Sequence, residues 1–261
     1  MMDRSVSIFI CGVQKGGTTT LDAYFREHPD LSAPIRKELH FFDNEAQDWL
    51  NPDYGLLEAG FAGHDDRLRY DATPIYCFWP PSLARIRAYN PAAKLIFLFR
   101  DPSDRAWSQW CHEYARGAET LTFAQAIREG RSRMDGLEPL APERRVYTYI
   151  ERGLYEKQAR RVLSLFPRDQ SLFLRSQDLW DNHVGTLARI AAFLEIAPFP
   201  QTAPKHANPR SATLRALRPT DADRALVVDL TRDDARAFSA LTGLDVSDWQ
   251  VMRDVAPKGA N

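Results

Sequence analysis

Val6-Ser7-Ile8-Phe9-Ile10-Cys11-Gly12-Val13-Gln14-Lys15-Gly16-Gly17-Thr18-Thr19-Thr20-Leu21 decides the reading of the fold. Its apolar run through Cys11 has the Val, Ile and Phe content of a buried strand. A turn carrying Gly12, Lys15, Gly16 and Gly17 follows, and the apolar spacing of Leu21 to Phe25 is helical. Strand, glycine turn and helix start make an anion cradle. Glycines let backbone N–H groups approach a phosphate closely, and the first N–H groups of a helix have no internal partner. The stretch comes near a Walker A loop but departs from it. Gly12 and Gly17 have the right separation, yet Thr18 stands where the motif needs Lys, and the lysine is inside the loop at Lys15.

A second strong apolar run, Lys94 to Phe99, follows a helical stretch from Pro81 to Tyr89. A helix between strands predicts right-handed crossovers and a parallel sheet. The second run leads into Arg100-Asp101-Pro102-Ser103-Asp104-Arg105-Ala106-Trp107-Ser108. Arg100 then stands at a strand end, where ligands collect in open α/β sheets. Pro102 suits the first position of a helix. Arg100 can fork onto a phosphate and Ser108 can donate from its hydroxyl. Read without a ligand, Asp101 is an N-cap and Arg100 a surface ion-pair member.

The first loop, Gln14 to Leu21, resembles the 5′-phosphosulfate loop of sulfotransferases that use 3′-phosphoadenosine 5′-phosphosulfate (PAPS), in particular the heparan-sulfate branch and its soluble bacterial relatives. Arg100 to Ser108 resembles that family's 3′-phosphate motif. The resemblance implies an α/β, P-loop-like three-layer fold with a central parallel sheet flanked by helices, in one sulfotransferase domain over residues 1–261. It implies that Lys15, Gly16, Gly17, Thr18, Thr19 and Thr20 hold the 5′ side of PAPS, with backbone N–H groups of Gly16 to Thr19 on the phosphate. Arg100 and Ser108 would take the 3′-phosphate, and Lys15 would also stabilise the leaving group. The product would be adenosine 3′,5′-bisphosphate (PAP).

Further pieces fit the same family. Lys37-Glu38-Leu39-His40-Phe41-Phe42-Asp43 resembles the segment whose Glu takes the acceptor's proton, so Glu38 is the expected general base, with His40 as a second candidate. On residue type alone, Glu38 reads as a solvated charge beside Lys37. Tyr70 to Tyr76 resembles a turn in which the family has a Lys, here Ala72, and that departure argues against a heparan-like acceptor. Lys205 and Arg210 lie where relatives carry a basic loop over the nucleotide's 3′ side. Other expected elements are a strand over 171–174 and helices from Thr18 to His28, Phe123 to Gly130, Gly185 to Leu194 and over 219–242.

Composition limits the alternatives. The 261 residues carry a net charge of −1 and 44% apolar residues, which gives no global case for nucleic acid or an anionic membrane. No apolar run approaches a membrane span. The three cysteines are widely spaced without a CxxC pair, as expected of reduced thiols and a cytoplasmic protein. No cluster of metal ligands is evident, and the sequence carries no signal for oligomeric state. The acceptor is expected to be a small molecule, a lipid or a glycan. A P-loop nucleotide kinase and a PAP-binding module without catalysis are the competing readings.

Overall fold

The computed structural model describes residues 5–62, 66–200, 203–205 and 218–253. In chain order the main elements are β1 (Val6–Gly12), α1 (Thr18–Phe25), β2 (Leu31–Ser32), α2 (Gly55–Glu58), β3 (Leu68–Asp71), α3 (Ser82–Tyr89), β4 (Lys94–Phe99) and α4 (Pro102–Ala115). Then come α5 (Phe123–Ala126), α6 (Glu156–Leu165), β5 (Ser171–Arg175), α7 (Ser176–Asp181), α8 (His183–Leu194) and α9 (Asp221–Thr242). Two compact units divide the chain, residues 1–100 with 161–209, and 101–160 with 210–261.

The first unit holds a five-stranded sheet in the order β2-β3-β1-β4-β5. Each described pair is parallel. The expected parallel sheet with flanking helices is therefore present. Side chains alternate across it with the period of two that a pleated strand imposes. Ile8 and Ile10 of β1 and Ile96 and Leu98 of β4 join a cluster with Leu21 and Phe25 of α1 and Leu187 and Ile190 of α8. Phe9 points to the other face, where its ring meets Phe42 edge-on at 5.6 Å, and Phe42 in turn meets Tyr89 of α3 at 5.5 Å. Phe97, Phe99 and Phe173 stack along that same face. Burying one such ring contributes about 1.5–3 kcal/mol of transfer free energy, so these runs fix the strand register.

Strand order positions the site. β1 and β4 are neighbours, and the chain leaves β1 toward β2 at one edge but leaves β4 toward β5 at the other, so their carboxyl ends form a topological switch point. Ligands bind outside the carboxyl ends of strands at such a switch point. Gly12 pairs with Phe97 in register, which brings the ends of β1 and β4 side by side.

The second unit is helical. Asp101 caps α4, its carboxylate accepting from Ser103 N at 2.8 Å and from Asp104 N at 3.3 Å. The apolar face of α4 joins Phe123, Ile127, Tyr149, Ile150 and Val227. Thr220 and Asp223 close a capping box at the start of α9.

Boundaries moved at several ends. α1 stops at Phe25 rather than His28, because His28 is buried and its Nε2 contacts Ala197 O at 2.8 Å. The expected helix over 123–130 is one short turn, Phe123–Ala126, followed by a 3-10 segment from Glu129. The two-residue edge strand β2 is too short to carry an alternation signal.

Candidate active site

The loop after β1 is built by close backbone approach. Val13 N donates to Leu98 O at 3.0 Å, which pins the loop to the neighbouring strand. A Cβ on Gly16 would stand 2.2 Å from Leu98 O, so only glycine fits. Gly17 has φ 94°, the left-handed region that glycine enters freely. Ser176 Oγ at the start of α7 donates to Gly16 O at 2.5 Å and braces the loop from the far side.

The first intrahelical bond of α1 runs from Leu21 N to Gly17 O at 3.1 Å. Among the described residues, the N–H groups of Gly17, Thr18, Thr19 and Thr20 make no backbone hydrogen bond. They form the donor set that a helix start presents to an anion. The Gly16 N–H donates to Val13 O at 2.8 Å inside the loop. Gly16 shapes the loop through close approach to Leu98 O.

Arg100 leaves the end of β4 and its Nη1 donates to Lys15 O at 3.3 Å. The guanidinium carbon lies 5.2 Å from the ring centre of Trp180 on α7. The same indole is 3.9 Å from where a Gly17 Cβ would be. The basic loop and the strand-end arginine thus share one small region at the carboxyl edge of the sheet. Ser108 lies on α4 in the second unit, half-buried.

Glu38 and His40 are fixed by a buried network on the β3 side. Asp71 is fully buried and accepts from Thr73 Oγ1 at 2.8 Å and Tyr76 OH at 2.7 Å. Thr73 Oγ1 accepts from Leu39 N at 3.1 Å, and Tyr76 OH from Phe41 N at 3.1 Å. Two side chains that Asp71 orients thereby hold the backbone just after Glu38. The turn also packs on Gly12, whose Cβ, if present, would be 3.4 Å from Pro74 O and 2.8 Å from Cys77 Cβ. Burial pushes the Asp71 carboxyl up to about 6 against the pull of its Tyr76 and Thr73 hydrogen bonds.

Glu38 is two-thirds covered and flanked by two cations. Lys37 Nζ lies 3.0 Å from its Oε1 and His40 Nε2 lies 3.3 Å from its Oε2. Burial acts to raise the Glu38 carboxyl, but the hydrogen bonds and charges of His40 and Lys37 together outweigh it and leave it below the usual range. His40 is raised to about 9 by hydrogen bonds to Asp43 and Glu38. The imidazole is therefore protonated at neutral pH, which suits a cation holding Glu38 better than a second base. Lys15 and His40 both have positive φ, 70° and 55°. Such backbone in non-glycine residues is uncommon and gathers where geometry serves function.

Lys205 is placed elsewhere. Its backbone N donates to Tyr24 OH at 2.9 Å and its Nζ pairs with Glu27, at the end of α1 away from the glycine loop. A local carboxylate pairs with its charge there. Arg210 lies outside the described residues.

A sequence model of the family described as the sulfotransferase domain matches residues 6–210. The chain belongs to the sulfotransferase family. Among curated proteins, this sulfotransferase-family chain is similar to mouse (Mus musculus) heparan sulfate glucosamine 3-O-sulfotransferase 3B1, 33% identical over 190 residues. That match covers 71% of this chain and 45% of the mouse protein, so the chain spans under half the length of that relative. Among solved structures, a sulfotransferase from Alicyclobacillus acidocaldarius superposes with a TM-score of 0.78 at 26% identity, over 94% of this chain and 99% of that one. The sulfotransferase domain from the curacin biosynthetic pathway shares the fold, with a TM-score of 0.52 at 18% identity over 90% of this chain and 96% of its own.

The sequence marked the turn from Tyr70 to Tyr76 but not the supporting contacts it makes, and it gave no signal for Ser176 or Trp180. Thr73 and Tyr76 are two and five residues beyond Asp71, a spacing that places both hydroxyls on one carboxylate across a turn. Ser176 and Trp180 gave no motif, because their contacts are to loop backbone and to a strand-end side chain far away in sequence. No helix among the described residues is long and apolar enough to cross a membrane.

Proposed function

We propose that this chain transfers a sulfuryl group from PAPS to an acceptor hydroxyl or amine, acting as one sulfotransferase domain over residues 1–261. The observation that carries the reading is Arg100 Nη1 on the Lys15 carbonyl at 3.3 Å. It gathers a strand-end guanidinium, a loop lysine and a helix start at one sheet edge. These donors fit a dianionic phosphate, since guanidinium, ammonium and backbone N–H groups only donate. PAPS supplies the sulfuryl group when bound.

In this reading the N–H groups of Gly17 to Thr20 hold the 5′-phosphate. Arg100 takes the 3′-phosphate, and Ser108 is assigned to it on the motif alone. Glu38 takes the acceptor's proton as the new sulfur–oxygen or sulfur–nitrogen bond forms. Lys15 neutralises charge on the phosphate oxygen that is released as the old sulfur–oxygen bond breaks. His40, held by Asp43, keeps Glu38 ionised and oriented.

The acceptor we favour is small and not a long polyanion. The curated relative is named for heparan sulfate, but the position where the resemblance has an acceptor-side Lys is Ala72, fully buried in the core. Three buried cysteines without disulfides fit a reducing, cytoplasmic setting.

The test compares thermal unfolding with PAP, ADP and ATP. PAP is expected to raise Tm well above either of the others, with no added divalent cation. Equal shifts for ADP and PAP would remove the 3′-phosphate holder. Binding of PAP with no transfer from PAPS to hydroxyl or amine acceptors of any size would reduce the protein to a nucleotide-binding module.

A further inference from the structure

One face of α7 lies along the loop after β1. Ser176 and Trp180 are four residues apart on that helix and so share a face. Ser176 Oγ donates to Gly16 O at 2.5 Å, and the Trp180 indole stands beside Gly17. A Cβ placed on Gly17 would lie 3.9 Å from Cζ2 and 4.0 Å from Nε1 of that indole. Both atoms are bonded to the same ring-junction carbon, so the edge turned to Gly17 is the edge that carries the N–H. Trp180 is half-buried. Among the described residues its N–H donates to no protein atom, and it is not sealed in the core. A tryptophan N–H in a half-buried position usually finds a partner.

The surroundings of that edge select the partner. An indole N–H donates only. The N–H groups of Gly17, Thr18, Thr19 and Thr20 make no backbone hydrogen bond among the described residues, and they are donors too. The Arg100 guanidinium carbon lies over the indole, 5.2 Å from the ring centre, within the range of a cation on a negative ring face. Arg100 Nη1 also donates to Lys15 O at 3.3 Å, so the guanidinium is held from two sides. The two contacts use different parts of one ring: the cation sits over the face, and the N–H lies in the plane at the edge. A donor set of this kind is matched by an acceptor-rich anion at the edge, with the arginine kept in place for a second one.

We propose that Trp180 is a nucleotide-binding residue whose indole N–H donates to the 5′-phosphate while its ring face holds the Arg100 guanidinium that takes the 3′-phosphate. This rests on the PAPS reading above and adds to it a residue outside both phosphate motifs. Because one side chain touches both phosphate holders, it fixes their spacing. It thereby favours a nucleotide phosphorylated at both ends over one that carries either phosphate alone.

The test compares PAP with 3′-AMP, which lacks only the 5′-phosphate, by calorimetry on the full chain. Trp180→Phe keeps an aromatic face and removes the N–H. It should weaken PAP about tenfold or more, as expected for losing a hydrogen bond to a charged group, and leave 3′-AMP within about two-fold. Trp180→Leu removes the face as well, and should also weaken 3′-AMP by about two- to fivefold. In protein with nitrogen-15 labelled indoles, the Trp180 signal is assigned by its loss in Trp180→Phe. That signal should move downfield with PAP and much less with 3′-AMP. Retained 3′-AMP affinity in Trp180→Phe shows that the variant is folded. Equal losses for the two ligands would make Trp180 a structural residue and overturn the proposal. An unchanged PAP affinity in Trp180→Phe, or an indole signal that PAP leaves in place, overturns it as well while the PAPS reading stands. Wild type that binds neither ligand would overturn the PAPS reading and this proposal with it.

Discussion

His40 bridges two carboxylates, with Nε2 3.3 Å from Glu38 Oε2 and Nδ1 3.0 Å from Asp43 Oδ2. Asp43 is 1% exposed, so one end of the bridge is anchored in the core while the other reaches the proposed base. The imidazolium therefore sets both the charge state and the direction of Glu38. Removing the carboxylate while keeping the side chain's shape isolates its chemistry. Glu38→Gln should leave PAP affinity within about two-fold, because the proposed phosphate donors lie on the loop after β1. Transfer should fall by about 10²–10⁴, the usual contribution of a positioned general base. Calorimetry with PAP and single-turnover transfer from labelled PAPS separate the two. Retained transfer would move the base to another group.

The same bridge makes stability depend on pH in the alkaline range. His40 has its folded value near 9 and an ordinary value of 6.5 when unfolded. The folded state binds the proton more tightly, so this contribution is complete below pH 6.5 and fades as pH rises through about 9. Half of the ring is exposed, so solvent screens the effect and a modest Tm change is expected. Wild type should lose Tm between pH 7 and pH 9.5, and His40→Gln should lose less over that range. Parallel Tm curves for the two proteins would show that the bridge contributes nothing to stability.

Two adjacent glycines should differ sharply on substitution. A Cβ at Gly16 meets Leu98 O at 2.2 Å, backbone that cannot move without parting β1 from β4. A Cβ at Gly17 meets nothing nearer than Trp180 at 3.9 Å, and its cost is the left-handed φ of 94°. Gly17→Ala should cost about 1–2 kcal/mol, the penalty of that conformation. Gly16→Ala should cost about 1–3 kcal/mol or more through overpacking, and should also weaken PAP binding by distorting the loop. Urea unfolding of both variants checks the order, and a Gly17→Ala variant that is the less stable of the two contradicts it.

Much of this was readable from residues alone because the informative pieces are local. The glycine turn after Cys11 and the Arg100-Asp101-Pro102 step each follow an apolar strand directly, and strand ends are where a parallel sheet gathers its site. Asp101 as N-cap was equally local, and the α4 cap confirms it. What stayed hidden depends on long-range contact. Trp180 meets Arg100 across 80 positions, and Thr73 reaches Leu39 across 34. The Lys205–Glu27 pair was hidden because a lysine in a polar loop looks the same whatever it faces. The Gly16 N–H bond to Val13 O was hidden too, since a glycine in a loop carries no mark of where its N–H points.

Lys15 combines an unusual backbone with the proposed leaving-group role. Its φ of 70° is one that L side chains enter at a cost of about 1–2 kcal/mol. Replacement by Ala keeps the Cβ and so keeps that cost, and stability should stay within about 0.5 kcal/mol, as for other substitutions outside the core. Replacement by Gly removes the strain but adds unfolded-state freedom worth about 0.5–1 kcal/mol, so Lys15→Gly should be as stable as wild type or more so. Both variants should lose about 10²–10³ in transfer rate, the range seen when one donor to developing negative charge is deleted. PAP affinity should fall far less, because Gly17 to Thr20 and Arg100 remain. A strained lysine that can be exchanged for glycine with gain in stability and loss of rate is held there by the chemistry. If Lys15→Gly instead keeps its transfer rate, the lysine has no part in the reaction and the leaving-group role passes to Arg100 or the helix start.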